Sequence, residues 1–173
     1  MQDEYIKSKI RDIPDYPKKG ILFKDITPLL KDPDAFAVCM EELASKLDGK
    51  SIDYIVGIEA RGFIIGSALA YLLKKGFIPI RKEGKLPAQV VKKEYTLEYG
   101  TSTIEIHKDA IEKGSNVVIV DDLLATGGTA KAAADLLTEI GANITAIAFV
   151  VELSFLNGRE KLSDYEIMSL IKY

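Results

Sequence analysis

One cysteine, one histidine, no surplus of basic charge and no apolar run of membrane-spanning length leave several classes of chemistry without means in this chain. A lone cysteine excludes an internal disulfide, and Cys39 falls among the apolar positions of an expected helix, which suits packing better than nucleophilic or metal chemistry. His107 is expected on an outward-facing strand position with no cysteine or histidine partner, so no metal site is expected around it. Lys and Arg number 23 against 26 Asp and Glu, and the net charge of −3 offers no general attraction for nucleic acid or an anionic membrane. Any anion must therefore be held by locally placed groups. The segment Met1-Gln2-Asp3-Glu4-Tyr5 is polar and acidic where a secretory signal is basic and then apolar, so a cytoplasmic protein is expected. The common nucleotide fingerprints are missing as well: there is no G-x-G-x-x-G. Gly49-Lys50-Ser51 follows a helical pattern, with Ala44 in place of the first P-loop glycine.

What is present is one globular domain, residues 1–173, with 47% hydrophobic residues to build a sizeable core and no internal repeat or low-complexity linker. Ile6, Ile10 and Ile13 recur at helical spacing and predict a short amphipathic helix over 3–12, ended by Pro14 and Pro17. From Asp15 to Pro28 the apolar residues keep no period, and an ordered loop is expected. Asp32 and Pro33 open a helix carrying Phe36, Met40, Leu43 and Leu47 on one face. Strands are expected at Tyr54–Ile58 and Phe77–Ile80, with a helix from Phe63 to Lys74 between them that Gly76 stops. The basic stretch Arg81 to Lys93, with Gly84 and Pro87, reads as an exposed mobile loop. Tyr95–Leu97 and Thr103–His107 then form a hairpin around Glu98-Tyr99-Gly100-Thr101. Ile144–Val151 is a buried strand and Tyr165–Ile171 an edge strand. Two βα units with buried strands predict an α/β fold, an open, twisted, mainly parallel sheet flanked by helices, with ligands at the carboxyl ends of its strands.

The run Val117-Val118-Ile119-Val120-Asp121-Asp122-Leu123-Leu124-Ala125-Thr126-Gly127-Gly128-Thr129 is the most informative. Four β-branched residues fit a strand covered on both faces, two carboxylates end it, and a helix from Ala130 follows a loop of small residues. Backbone N–H groups of Thr126 to Thr129 at the helix start suit a phosphate, and carboxylates beside it can accept from vicinal hydroxyls. A ribose 5-phosphate lying across the loop satisfies both. The second loop at the same sheet edge, Glu59-Ala60-Arg61-Gly62, brings Arg61 to face it. Arg61, Arg81, Lys82 and Lys85 are candidates to neutralise a diphosphate, against the plainer reading of the lysines as solvated surface charge.

This run resembles the phosphoribosyl-diphosphate motif of the type I phosphoribosyltransferases. Gly57-Ile58-Glu59-Ala60-Arg61-Gly62-Phe63, Ile80 to Pro87, Tyr95 to Gly100, Pro17 to Pro33 and Val151-Glu152-Leu153 are similar, in the same order, to the adenine-specific branch of that family, over nearly the whole chain. The resemblance implies transfer of a phosphoribosyl group from 5-phosphoribosyl 1-diphosphate to adenine, giving AMP and diphosphate, by a homodimer using Mg2+ held chiefly by substrate oxygens and water. It implies a small N-terminal hood over residues 1–34 and a mobile basic loop and hairpin over 81–107. Asp121, Asp122, Ala125, Thr126, Gly127, Gly128 and Thr129 would bind phosphoribosyl, and Ala60, Arg61, Arg81, Lys82 and Lys85 the diphosphate. Leu22, Phe23 and Lys24 would bind adenine, and Glu98 and Tyr99 would serve catalysis with Arg61. Glu105 is a rival acid to Glu98. Lys24 departs from the family, which often has arginine there. A non-proline cis peptide is expected at Ala60-Arg61. Two other readings stand beside this one: transfer to another purine base, and a non-catalytic sensor of phosphoribosyl diphosphate, which usually brings a DNA-binding segment.

Overall fold

The computed structural model describes residues 2–97 and 100–173. In chain order its elements are α1 (Gln2–Ser8), β1 (Arg11–Pro14), β2 (Leu22–Asp25), α2 (Thr27–Lys31), α3 (Pro33–Lys46), β3 (Tyr54–Ile58), α4 (Arg61–Leu73), β4 (Gly76–Lys82), β5 (Val90–Thr96), β6 (Thr101–His107), β7 (Asn116–Leu124), α5 (Gly128–Glu139), β8 (Asn143–Glu152) and β9 (Ile167–Lys172), with short 3-10 turns at Ser154–Leu156 and Gly158–Leu162. The main sheet runs β5-β6-β4-β3-β7-β8-β9. From β4 to β9 all neighbours are parallel, whereas β6 runs antiparallel to both of its neighbours, β5 and β4. Successive residues of the central strands point to opposite faces, so two cores form. Ile55, Val118, Val120 and Ala148 pack under α3 and α4, while Val56, Ile119, Ile147 and Phe149 pack under α5. Helices on both faces of a mainly parallel sheet were the expectation, and the order places a switch point between β3 and β7, where their outgoing loops meet.

Several elements differ from the expected ones. The first helix stops at Ser8, because the Lys9 and Ile10 amides bond back to Ile6 and Lys7 in tighter turns. Ile13 belongs to a strand, opposite Phe23. The expected loop over 15–28 holds β2, which pairs antiparallel with β1 in a small separate sheet, and most of the α2 start. Neither strand shows an alternating burial pattern, which hid them. Asp32 does cap α3, accepting from the Ala35 amide at 3.1 Å. α4 ends at Leu73, capped by Lys74 in a left-handed conformation, and Gly76 opens β4. The basic stretch is a connection only over 83–89, since β5 starts at Val90. Lys92 lies on the outer face, where it meets Glu83 at 2.8 Å, while Lys93 faces Asp135 of α5 at 4.0 Å and Tyr95 packs inward beside it.

β7 also runs on through the acid pair to Leu124. β8 is ten residues long, and it keeps the ladder going, Asp121 opposite Phe149 and Leu124 opposite Glu152, after β3 has ended. Behind that extension Arg159 makes a two-pronged contact with the buried Glu152, at 2.6 and 2.7 Å. It also donates to the Ile167 carbonyl at 3.2 Å, and Ser169 donates to the same carboxylate. The Arg159 guanidinium holds the Glu152 carboxyl below the ordinary glutamate range against the opposing effect of burial. Its folded value is thus depressed, so the pair's contribution is present above the unfolded value of about 4.3 and is lost as pH falls through the folded one. Arg159→Met should cost roughly 3 kcal/mol at neutral pH, because it strands a buried carboxylate. The acid response should also invert: protonation relieves the unpaired Glu152, so the variant should recover part of that loss on going from about pH 7 to about pH 5. Urea unfolding at both pH values reads this out, and an equal deficit at both would contradict it.

Candidate active site

The loop after β7 is shaped by two glycines from distant parts of the chain. Gly127 has φ +79°, and a Cβ there would lie 2.4 Å from the Gly158 carbonyl oxygen. Reciprocally, a Cβ on Gly158 would lie 2.3 Å from the Ala125 oxygen. Gly127 is also the N-cap of α5 and brings no side-chain cap, so the first-turn amides are left to face whatever occupies the loop. The cavity they border has a volume of about 80 Å³, several times what one water needs, and is lined by Asp121 and 123–130 with Phe149 behind. Concave, amide-lined and at a helix N-terminus, it has the chemistry to hold a phosphate.

A second cavity of about 290 Å³ shares Asp121, Leu123 and Thr129 with the first and extends to Ala60, Arg61, Lys82 and Asp122. Arg61 opens α4, and its Nε lies 2.9 Å from Asp122 Oδ2. The charges are in ion-pair range, but the N–H is not aimed at the oxygen, and Asp122 Oδ2 is buried without a hydrogen bond. Burial pushes the Asp121 carboxyl well above the ordinary range, and the charge of Asp122 pushes it further. Burial raises Asp122 too, while Arg61 pulls it part of the way back. Two carboxylates in this setting keep full charge only with more partners than the protein gives them, which hydroxyls or a cation of a ligand can supply.

The chain enters α4 through a non-proline cis peptide at Glu59-Ala60, one bond earlier than expected. The Ala60-Arg61 peptide already leads into the helix, which is built of trans units. Glu59 accepts from Arg81 Nε and Nη2, each at 3.2 Å, and from the Lys82 amide at 2.9 Å, and Arg81 foremost holds its carboxyl below the ordinary range. Arg81 also donates to the Lys85 carbonyl at 3.3 Å, so its guanidinium is turned to the protein. Burial would raise Glu105, but the amides of Leu86, Gly84 and Lys85 outweigh it and hold the carboxyl low. Its Oε1 accepts from the Lys85 and Leu86 amides at 2.9 Å each, so Glu105 anchors the basic loop.

Of the expected site residues, Ala60, Arg61, Lys82, Asp121, Asp122 and the loop from Ala125 to Thr129 border the two joined cavities. Arg81, Lys85, Leu22 and Lys24 do not. Phe23 touches the edge of the site, its ring 5.1 Å from the Arg61 guanidinium. The Lys24 ammonium points elsewhere, to Asp12 at 2.6 Å and over the Tyr173 ring at 3.7 Å. Glu98 and Tyr99 lie outside the described residues, but Tyr95, Leu97 and Ser102 from the two arms of that hairpin border the larger cavity. The hairpin rests on the α5 start, where Thr129 Oγ1 meets the Tyr95 hydroxyl at 3.4 Å. Sequence reasoning missed Glu59, Tyr95 and Gly158 as parts of the site. Asn157-Gly158 signals a turn, but nothing local says that the turn lies against the loop thirty residues earlier.

The phosphoribosyl transferase domain model matches residues 27–171. The adenine phosphoribosyltransferase of Halothermothrix orenii is 58% identical over 167 residues, covering 96% of this chain and 98% of its own length. Among solved structures, the adenine phosphoribosyltransferase of Thermoanaerobacter pseudethanolicus superposes with a TM-score of 0.97 at 57% identity, covering 99% of both chains. That of Saccharomyces cerevisiae, solved with adenine and an imino-altritol bisphosphate, superposes with a TM-score of 0.93 at 43% identity and 98% coverage of both. Likeness this close, running end to end in sequence and in backbone alike, leaves no other lineage open: the chain belongs to the adenine phosphoribosyltransferase family, on the type I phosphoribosyltransferase fold.

Proposed function

We infer that the protein transfers the phosphoribosyl group of 5-phosphoribosyl 1-diphosphate to adenine, giving AMP and diphosphate, a purine salvage step. The observation that carries this reading is the junction of the two cavities, which sets an amide-lined phosphate cradle beside an acid pair and beside Arg61 and Lys82. The 5-phosphate lies on the loop from Ala125 to Thr129, and Asp121 and Asp122 accept from the ribose hydroxyls. The diphosphate leaves toward Ala60, Arg61 and Lys82, with Arg81 and Lys85 reaching it once the basic loop re-pairs. As the C1–O bond to diphosphate breaks, positive charge builds on the ribose ring and negative charge on the leaving group. Fixed cations and exclusion of water then contribute more than any strong nucleophile.

Magnesium belongs to this reading. Asp122 Oδ2, buried and without a hydrogen bond beside Asp121, is a hard oxygen donor of the right kind, and among the described residues no group of three or more His, Cys, Asp or Glu is placed to hold a metal alone. The ion would be held mainly by substrate and water, with these two carboxylates nearby, and when bound it neutralises diphosphate charge. No helix among the described residues is long and apolar enough to cross a membrane. We place the enzyme in the cytoplasm, which cell fractionation would check.

Adenine is met by the hood, residues 1–34, through Leu22, Phe23 and the backbone of Lys24. The backbone carbonyls and amides of this segment can accept from a 6-amino group and donate to N1, a pattern that hypoxanthine reverses. Each buried group left unpaired costs about 1–3 kcal/mol. A magnesium-dependent assay should therefore give AMP from adenine, with kcat/KM for hypoxanthine lower by roughly tenfold or more. A preference for hypoxanthine or xanthine would overturn the assignment.

Glu98 is the proposed proton-transfer residue at the purine imidazole, with Tyr99 closing the site beside it. Support comes from Tyr95, Leu97 and Ser102, which border the larger cavity, and from Glu105, whose carboxylate is already engaged by the basic loop. Glu98→Gln should lower kcat by about 10²–10⁴-fold, with little change in KM for phosphoribosyl diphosphate. An unchanged kcat would remove Glu98 from the mechanism.

A homodimer completes the reading. The outer side of α4 exposes Ile64, Tyr71 and Leu72, with Tyr71 88% exposed, and this apolar face fits a second copy. Sedimentation should find a dimer for the wild type and a monomer for Tyr71→Glu; a monomeric wild type would count against this surface.

A further inference from the structure

β2, the strand to which the reading above gives adenine, is held from both of its faces by a cation against a ring. On one face Phe23 lies 5.1 Å from the Arg61 guanidinium, and Arg61 is itself paired with Asp122. On the other face, one residue on, the Lys24 ammonium sits 3.7 Å from the centre of the Tyr173 ring. The Lys24 side chain is only 7% exposed, so its charge depends on the few partners given to it, Asp12 at 2.6 Å and this ring. Asp12 stands directly opposite Lys24 in the β1–β2 ladder, so it moves with the hairpin and cannot by itself fix the hairpin to the rest of the protein. Tyr173 can. Its amide donates to the Glu152 carbonyl and its carbonyl accepts from the Ser154 amide, both at 2.9 Å, so the ring is carried by the end of the main sheet. Lys7 of α1 lies on the same ring at 4.6 Å, tying a third segment of the first thirty residues to it.

We propose that Tyr173 is a positioning residue for base recognition. Its ring seats the Lys24 ammonium and thereby fixes the spacing between β2 and the phosphoribosyl site. This account rests on adenine binding at β2. It explains how lysine serves at position 24: the cation is used behind the strand, and the backbone is left to face the base. Tyr173 touches neither cavity of the site, so its effect should fall on one substrate alone.

The experiment compares Tyr173→Leu, which keeps bulk and apolar character but removes the ring face, with Tyr173→Phe, which keeps the face. For Tyr173→Leu, KM for adenine should rise about tenfold while KM for phosphoribosyl diphosphate stays unchanged. Tyr173→Phe should restore wild-type KM for adenine. Backbone amides of residues 11–25 should exchange hydrogen faster in the Leu variant and at the wild-type rate in the Phe variant, with or without substrates. The proposal is overturned if both KM values rise together, if Phe behaves as Leu does, or if exchange over 11–25 is unaltered. Should the wild type make no AMP from adenine, the functional reading fails by itself, and the exchange comparison still decides whether Tyr173 positions the hairpin.

Discussion

The rest of the site depends on a place where two stretches of backbone meet with no side chain between them. Gly127 and Gly158 approach so closely that a methyl group on either would lie within 2.4 Å of a carbonyl oxygen of the other segment. That contact gives the loop after β7 its shape, and the shape leaves the first amides of α5 facing a cavity. It is also why the Glu152–Arg159 pair lies where it does. Arg159 directly follows Gly158, and its two-pronged grip on the last residue of β8 presses the turn against the loop. An ion pair with one buried partner adds little net stability compared with apolar packing, but this one ties the turn at Gly158 to the end of β8. Here the arrangement held is that of the loop around the smaller cavity.

Arg61 has the corresponding position on the other side of the cavity. It starts a helix, pairs with Asp122 and stacks on Phe23, so one side chain touches the acid pair, borders the larger cavity and braces β2. Its imperfect alignment with Asp122 fits that position. A well-formed two-pronged pair would be costly to open, whereas a contact in charge range without an aimed hydrogen bond leaves donors available to an incoming anion. The acid pair follows the same logic. Asp121 and Asp122 are held above the ordinary range by burial, a state that favours gaining partners.

The parts of this molecule that were legible in its sequence are those written as a local pattern. The β-branched run of β7, the Asp32 cap and the small-residue loop each follow from neighbours along the chain, and the order of strands and loops follows from chain connectivity. Elements defined by partners far away were not legible. β2 has no alternating burial, and only its pairing with β1 makes it a strand. β7 outlasts its own apolar run because β8 continues beside it. β5 looked like a loop because its lysines and valines have no simple period until α5 covers one face. Likewise the sequence offered Arg81 and Glu105 as chemical groups, but Glu59 and the loop amides hold them in the fold.

The basic loop bears on how an acidic protein could take up the polyanion of the proposed reaction. With a net charge of −3 the chain has no long-range field to draw in a polyanion, and three cations of the site and the basic stretch are matched in place: Arg61 with Asp122, Arg81 with Glu59, Lys92 with Glu83. Each carboxylate lowers the cost of keeping a cation there while the site is empty. In the proposed reaction an arriving diphosphate would exchange partners with these pairs and need not bring together scattered charges. The selectivity that results is geometric, since only an anion reaching several of these positions at once repays the pairs it breaks. The same reasoning explains why Glu105 binds amides while Lys92 lies 3.9 Å away. By holding the backbone at Lys85 and Leu86, it sets where the loop's cations begin and leaves them free to re-pair.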